Sequence, residues 1–510
     1  MDEKPTVYLP PAQRKLAVLF IMLATILVVL DQTIANVALP HMQAALGATP
    51  DTVSWVLTSY VLASAVATPM TGWLSGRFGR RQLFCAAVVG FTLMSAICGM
   101  AVSLPMMVAA RVAQGFFGAF LIPMSQAFMY DLHPPSQQVR ASTTWGLGVM
   151  VAPIIGPLVG GYLTELLDWR WVFFVNLPLG AIAVVGLLLI LPQFSAVRRP
   201  FDHLGFALIA IGLCSMQLVL DRGTQQDWFD SVEILIEAGL SISALWLLIF
   251  HLRTADHPLI PIALFTNRSY VVGLIMGFIV SPILIAGSAL LPSLLQTLLG
   301  YPVELTGLLV VPRGLAFAAA MVLGSRLMTI LDGRLLIFAG LLLIIWSMHL
   351  QTLFNLQMGW DLLVWSGILQ GVGMGLSMTI LTYIAVSGLP AALRTEGAAV
   401  FNLARTIGTS VMIAISTAML ARNLQISHAD VGSSLRSNNL PFSLSEMIGG
   451  NYLSERVAAM ANAEVTRQAM MISYIDDFWL MMWASVCALP LVLLLKPIRA
   501  PKGEPIAMME

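Results

Sequence analysis

Long apolar runs recur along almost the whole chain, broken at short intervals by clusters of Gly, Pro and charged residues. A bilayer core about 30 Å thick needs ~20 mainly apolar helical residues to cross it. Fourteen segments read as such helices: 16–38, 52–72, 83–102, 105–128, 143–164, 176–194, 204–221, 232–251, 269–292, 303–324, 335–354, 361–384, 395–420 and 478–496. The expected class is therefore an all-α integral membrane protein. The first run is too long for the core of a cleaved signal and carries Asp31 inside it.

Composition agrees with the pattern. Of 510 residues, 58% are apolar and 10% charged, against roughly 45–50% and 25% in soluble domains. So few charges cannot cover the surface of a soluble protein of this size. The formal net charge is zero, which gives no footprint for nucleic acid. Cys85, Cys98, Cys214 and Cys487 all sit in apolar runs without a CxxC or CxxH pair, so neither a disulfide framework nor a metal site is expected.

An even number of spans puts both termini on one side, and the positive-inside rule chooses the side. Lys4, Arg14, Lys15, Arg77, Arg80, Arg81, Arg140, Arg198, Arg199, Arg253, Arg268, Arg326, Arg334, Arg394, Lys496, Arg499 and Lys502 fall with the termini, whereas the short loops opposite carry only Arg170 and Arg222. Cytoplasmic termini are expected. Residues 1–15 form the N-terminal tail, 16–194 one six-helix half, 195–267 an inserted hairpin of two spans with its linkers, 268–496 a second six-helix half, and 497–510 the C-terminal tail. The segment 421–477 reads as an exterior loop with a helical stretch over 452–471. Two six-helix halves around a midplane cleft are a transporter architecture. The inserted pair reads as peripheral to that cleft.

Several residues carry chemistry by position. A carboxylate inside a span is costly and marks a functional site. Asp31 lies roughly 22 Å from the cytoplasmic end of its helix, and Arg111 roughly 9 Å from the outer end of an oppositely directed one. In a core about 30 Å thick these levels nearly coincide, so the two can pair, and a proton on Asp31 would release Arg111. Arg313 and Arg405 each lie ~15 Å deep. Three deep arginines against one aspartate leave a surplus that backbone carbonyls and waters, or an anionic ligand, would satisfy. Gln114, Gln126, Gln296 and Asn402 are further polar candidates for the cleft. GWLSGRFGRR (72–81) makes a short basic turn in which Gly72 and Gly79 permit reversal, while Arg77, Arg80 and Arg81 hold the headgroup level. APIIGPLVGGYL (152–163) places Pro153, Gly156, Pro157, Gly160 and Gly161 in one helix, a spacing that allows close backbone approach. Gly367, Gly371 and Gly375 read as a second packing face. No GxSxG, HExxH or Walker loop is present, so an enzyme is not expected, and transport without a nucleotide site must run on a gradient.

LDQTIANVALP (30–40), GWLSGRFGRR (72–81), RVAQGFFGA (111–119) and APIIGPLVGGYL (152–163), in this order, resemble the motifs of the major facilitator superfamily in its fourteen-span drug:proton antiporter branch. DWRWVFFVNLPLG (168–180), SMQLVLDRGTQQDWF (215–229) and PLIPIALFTNRSY (258–270) are similar to the EmrB-like multidrug exporters of Gram-negative bacteria. The resemblance implies a major facilitator fold in the bacterial inner membrane and proton-coupled efflux of amphipathic compounds. No cofactor is implied beyond the proton gradient. It links Asp31 and Arg111 to proton coupling, the 72–81 loop to a cytoplasmic gate and the 152–163 helix to antiport. It also implies a periplasmic adaptor and an outer-membrane channel as partners. Gly76 stands where the family usually has an acidic gate residue, which removes one expected gate contact. A dedicated exporter of one metabolite, or a uniporter or importer on the same fold, remains open at this point.

Overall fold

The computed structural model describes residues 10–193, 199–434 and 455–497. The tails 1–9 and 498–510 and the stretches 194–198 and 435–454, and with them Lys4, Arg198, Arg499 and Lys502, lie outside the described residues. Among the described residues all regular structure is helical. The helices are α1 (Pro11–Ala45), α2 (Pro50–Val53), α3 (Trp55–Ala67), α4 (Thr71–Phe78), α5 (Arg80–Gly99), α6 (Leu104–Gly118), α7 (Leu121–Asp131), α8 (Gln138–Leu166), α9 (Trp171–Phe174) and α10 (Asn176–Ile190). They continue as α11 (His203–Arg222), α12 (Val232–Thr254), α13 (Arg268–Ser293), α14 (Val303–Leu327), α15 (Gly333–Gln351), α16 (Trp360–Ser387), α17 (Arg394–Ser434) and α18 (Glu455–Val492).

Among the described residues, twelve helical segments are long and apolar enough to cross a membrane. Of the other two expected spans, the second breaks at a 3-10 turn, Thr68–Met70, that contains Pro69. The ninth is α13, one continuous helix with Pro282 and Pro292 inside it, followed by a π-turn at Leu294–Leu298. Proline removes a helical donor and crowds the preceding turn, which explains the break in the second. Local capping fits the boundaries: Asn267 caps α13, Asp332 caps α15 and Asp202 caps α11 through side-chain oxygens.

Two expectations are revised. The stretch 421–477 is not a loop with one helix in it. In its described parts α17 and α18 simply run on, packed together by Asn423 Nδ2 donating to Asp476 over 2.9 Å and by His428 with Asn462 over 3.0 Å. Polar residues end the apolar signal there without ending the helix. The inserted pair is peripheral only in part: α12 packs on α11 and the short turn before it, whereas α11 reaches the cleft. α11 packs against α3 and α17, and its far end, from Gln217 to Arg222, lines the central cleft. At the opposite end Asp202 accepts from Gly205 N (2.8 Å) and Leu259 N (3.1 Å) and pairs with His251 (2.8 Å). Burial alone would raise this carboxyl, but these contacts outweigh it and hold Asp202 below the usual carboxylate range.

Hydrophobic burial is divided between the halves. One cluster fills the C-terminal half around Ile337, Leu341, Phe401 and Phe478, and two fill the N-terminal half around Phe84, Phe91 and Phe128 and around Ile34, Met107 and Phe173. The halves meet along α8 with α14 and along α7 and α4 with α17. Between them lies a cleft.

Candidate functional site: a buried ion pair beside a central cleft

The cleft has a volume of about 2320 Å³. Thr52, Glu165 and Gln225 line its mouth, at or just past helix ends on the face opposite the termini. Gln296 lines it from the π-turn beyond the outer end of α13, and Arg313, Asn402 and Arg405 line it further in, about ten residues into α14 and α17. Arg405 Nη1 donates to Asn402 Oδ1 over 3.4 Å, and its Nε has no hydrogen-bond partner among the described residues. Arg313 stands beside Gln370: a Cβ on Gly287 would lie 3.2 Å from Gln370 Nε2 and 3.8 Å from Arg313 Nη1. The carboxylates of the lining, Glu165 and Asp221, sit at the mouth.

On the face that carries the termini the halves are joined. Asp131 pairs with Arg80 of its own half and with Arg394 of the other, the latter over 3.5 Å. Glu396 lies against Gly72, so closely that a Cβ there would fall 2.2 Å from Glu396 Cγ. Asn402 Nδ2 donates to Gln126 Oε1 over 2.9 Å. Thus Gln126 is buried in the floor rather than in the cleft lining. The turn itself forms at Gly79, with φ 89°, a conformation that favours glycine. Arg77 stacks over Trp73, its guanidinium carbon 5.4 Å from the ring centre. Arg81 donates to the Leu188 carbonyl within its own half. Of the three arginines in the turn, Arg80 is the one drawn into the seam, through Asp131. No carboxylate stands at Gly76, but Asp131 and Glu396 bring two to the same seam.

Asp31 and Arg111 meet inside the N-terminal half, with no exposed surface on either. Arg111 Nη1 donates to Asp31 Oδ2 over 2.6 Å, and its Nε donates to the Val56 carbonyl over 2.9 Å. Asp31 Oδ1 accepts from Gln114 Nε2 and Asn176 Nδ2, each over 2.9 Å. Asn176 Nδ2 also reaches Ser95 Oγ at 3.0 Å, and Ser95 donates to the Phe173 carbonyl over 2.9 Å. Gln114 is therefore not a cleft residue; it also accepts from Arg111 through Oε1 over 2.8 Å. Three residues on two helices, α6 and α10, thus satisfy the carboxylate. A buried pair of this kind is sensitive to loss of either partner, at about 3–5 kcal/mol. The Tyr60 ring lies 4.3 Å from the guanidinium carbon of Arg111 and also lines the cleft. It therefore borders both the ion pair and the cleft.

The glycine-rich helix α8 supports this arrangement. A Cβ on Gly156 would fall 2.1 Å from Thr33 Oγ1, and one on Gly160 3.1 Å from Ile34 Cγ2. Close approach to α1 therefore occurs two and three residues beyond Asp31. Gly161 and Pro153 instead line the cleft; the side chain of Pro157 lies outside the described residues. On α16, Cβ atoms at Gly371 and Gly375 would meet the Arg313 and Phe317 carbonyls at 2.2 and 2.5 Å, whereas Gly367 has ordinary room.

Sequence reasoning passed over Asn176, Ser95, Tyr60, Asp131, Glu396 and Asp477. Asn176 opens the sixth apolar run and so looked like a boundary. Asp131 and Asp477 fell just outside the expected spans, and an acidic residue one turn inside a helix was the available signal.

Two six-helix halves, an inserted hairpin and a central cleft define a membrane transporter. The sequence profile of the Major Facilitator Superfamily matches residues 21–413, and the chain belongs to that family, a family of transporters rather than enzymes. It is 32% identical over 501 residues to the multidrug export protein EmrB of Escherichia coli strain K12, with 97% of each chain covered. It is 31% identical to the fatty acid resistance protein FarB of Neisseria gonorrhoeae, covering 93% of this chain and 94% of that one. Among solved structures it resembles the proton:xylose symporter XylE bound to 6-bromo-6-deoxy-D-glucose, with TM-score 0.59, 13% identity and coverage of 94% and 96%. It also resembles the human organic anion transporter MFSD10, with TM-score 0.58, 14% identity and coverage of 94% and 100%. At these identities the two structures bear on the fold alone.

Proposed function

We propose that the protein exports amphipathic, weakly acidic compounds from the bacterial cytoplasm across the inner membrane in exchange for protons. With cytoplasmic termini, the cleft described here is open to the outside and closed on the cytoplasmic side. The observation that carries the coupling is the buried Asp31–Arg111 pair, with the Tyr60 ring touching both Arg111 and the cleft. A proton arriving at Asp31 removes the charge that holds Arg111, and the released guanidinium then competes for the Val56 carbonyl and the Tyr60 face. These lie on α3, a helix of the cleft wall, so protonation is converted into movement of that wall.

The substrate class follows from charge. Arg313 and Arg405 stand in the deep part of the cleft and its carboxylates at the mouth. That potential favours an anionic head with an apolar body. The fatty acid resistance named for one relative and the multidrug export named for another support this reading. At −100 mV one inward proton contributes about 2.3 kcal/mol, and a pH difference of one adds ~1.4. One proton per neutral substrate then sustains roughly a several-hundred-fold gradient. The extended pair α17–α18 stands on the exterior face and is the surface we assign to a periplasmic adaptor leading to an outer-membrane channel.

Reconstitution into liposomes with an imposed pH gradient, and a panel of neutral, cationic and weakly acidic probes, tests the reading. Gradient-driven movement of the acidic probes is expected. Transport of permanent cations alone would overturn the substrate class.

A further inference from the structure

The C-terminal half holds its own buried carboxylate, and nothing in the coupling scheme uses it. Asp477 lies in α18, the last helix of its half, as Asn176 lies in the last helix of the other. It has no exposed surface. Among the described residues neither of its oxygens has a hydrogen-bond partner. From Asp477 to the end of α18 at Val492 is 492 − 477 = 15 residues, roughly 22 Å of helix, which places it within a core about 30 Å thick.

Among the described residues, its surroundings offer no partner to hold a negative charge. On its own helix, Ser473 one turn before is buried and gives its hydroxyl to the Ala469 carbonyl, and Met481 one turn after is buried. Tyr474 donates to Ser293 over 3.0 Å, and Phe478 packs on Phe354 with ring centres 5.8 Å apart. The helices packed against α18 are α13, α15 and α17, together with the π-turn at Leu294–Leu298. α13 and α15 carry Arg268 and Arg334 at their termini-side ends, and α15 an exposed His349 at the other. α17 carries Arg405 in the cleft, and Arg422 and His428 beyond it. The charged group that acts on Asp477 is Asp476, a like charge engaged with Asn423. An ionised carboxyl without a partner is very costly in such a place, and the group binds a proton instead. Asp31 is the opposite case: three donors, one of them cationic, already satisfy it.

We propose that Asp477 is a second proton-binding site of the transporter, occupied in this conformation and able to release its proton when the C-terminal half repacks. The site is not among the residues lining the cleft, so substrate does not compete for it directly.

Infrared spectroscopy of protein carrying carboxyl-labelled aspartate, in lipid, tests this without any transport step and so stands apart from the coupling role of Asp31. The expected result is a carbonyl stretch from a protonated carboxyl at pH 7 that is absent in Asp477→Asn, present in Asp31→Asn, and lost reversibly as the pH is raised. Asp477→Glu, which keeps the acid, should shift the band and serves if the Asn variant does not fold. No protonated band at pH 7, a band that survives Asp477→Asn, or one that does not titrate before the protein unfolds would overturn the proposal.

Discussion

Asn402 of α17 donates to Gln126 of α7 over 2.9 Å, a hydrogen bond that ties the two halves together beneath the cleft. It spans the closed termini-side face, and opening that face would have to break it. A net hydrogen bond contributes about 1 kcal/mol, so Gln126→Ala should shift the balance of conformations roughly fivefold toward the form open on that face. Alkylation of a cysteine placed at the buried Ala398, in a background without the native cysteines, reads the shift.

Asp131→Asn should act in the same direction and more strongly. It removes the carboxylate shared by Arg80 and Arg394, and bonds to charged groups contribute about 1.5–3 kcal/mol each. The same alkylation assay should show faster labelling than in Gln126→Ala. Equal labelling to the parent would mean the seam is held elsewhere.

The two faces of α8 should respond differently to added bulk. Gly156→Val drives a side chain into Thr33 on α1, and overpacking costs about 1–3 kcal/mol. Gly161→Ala meets nothing within 4 Å and gains helix propensity of up to about 1 kcal/mol. Melting in detergent should fall for the first variant and not for the second.

Arg405→Gln removes a cation from the cleft while keeping a donor for Asn402. Export of weakly acidic compounds should fall by an order of magnitude or more, and that of neutral compounds should change little. Competition assays with matched acid and amide probes measure the difference.

Much of this was legible in the sequence, because a bilayer demands long apolar helices and the spans stand out. Asp31 and Arg111 were legible for the same reason: charges inside such helices are few. What hydropathy does not carry is the end of a helix beyond the membrane. α17 and α18 continue through polar sequence, so the stretch 421–477 looked like a loop and Asp477 looked exterior. Gln114 was misplaced because helical spacing puts it near Arg111 but does not say which face of α6 meets the cleft. The carboxylates of the seam come from α7 and α17, positions that only the tertiary contact relates to Gly72 and Arg80.

The central claim is that protonation of Asp31 couples the gradient to export. It is tested most directly by Asp31→Asn in liposomes under an imposed pH gradient. The substitution keeps the shape of the site and removes the titrating group. Substrate binding and membrane insertion should persist, while gradient-driven export should disappear. Export by Asp31→Asn at the parent rate under the same gradient would contradict the account.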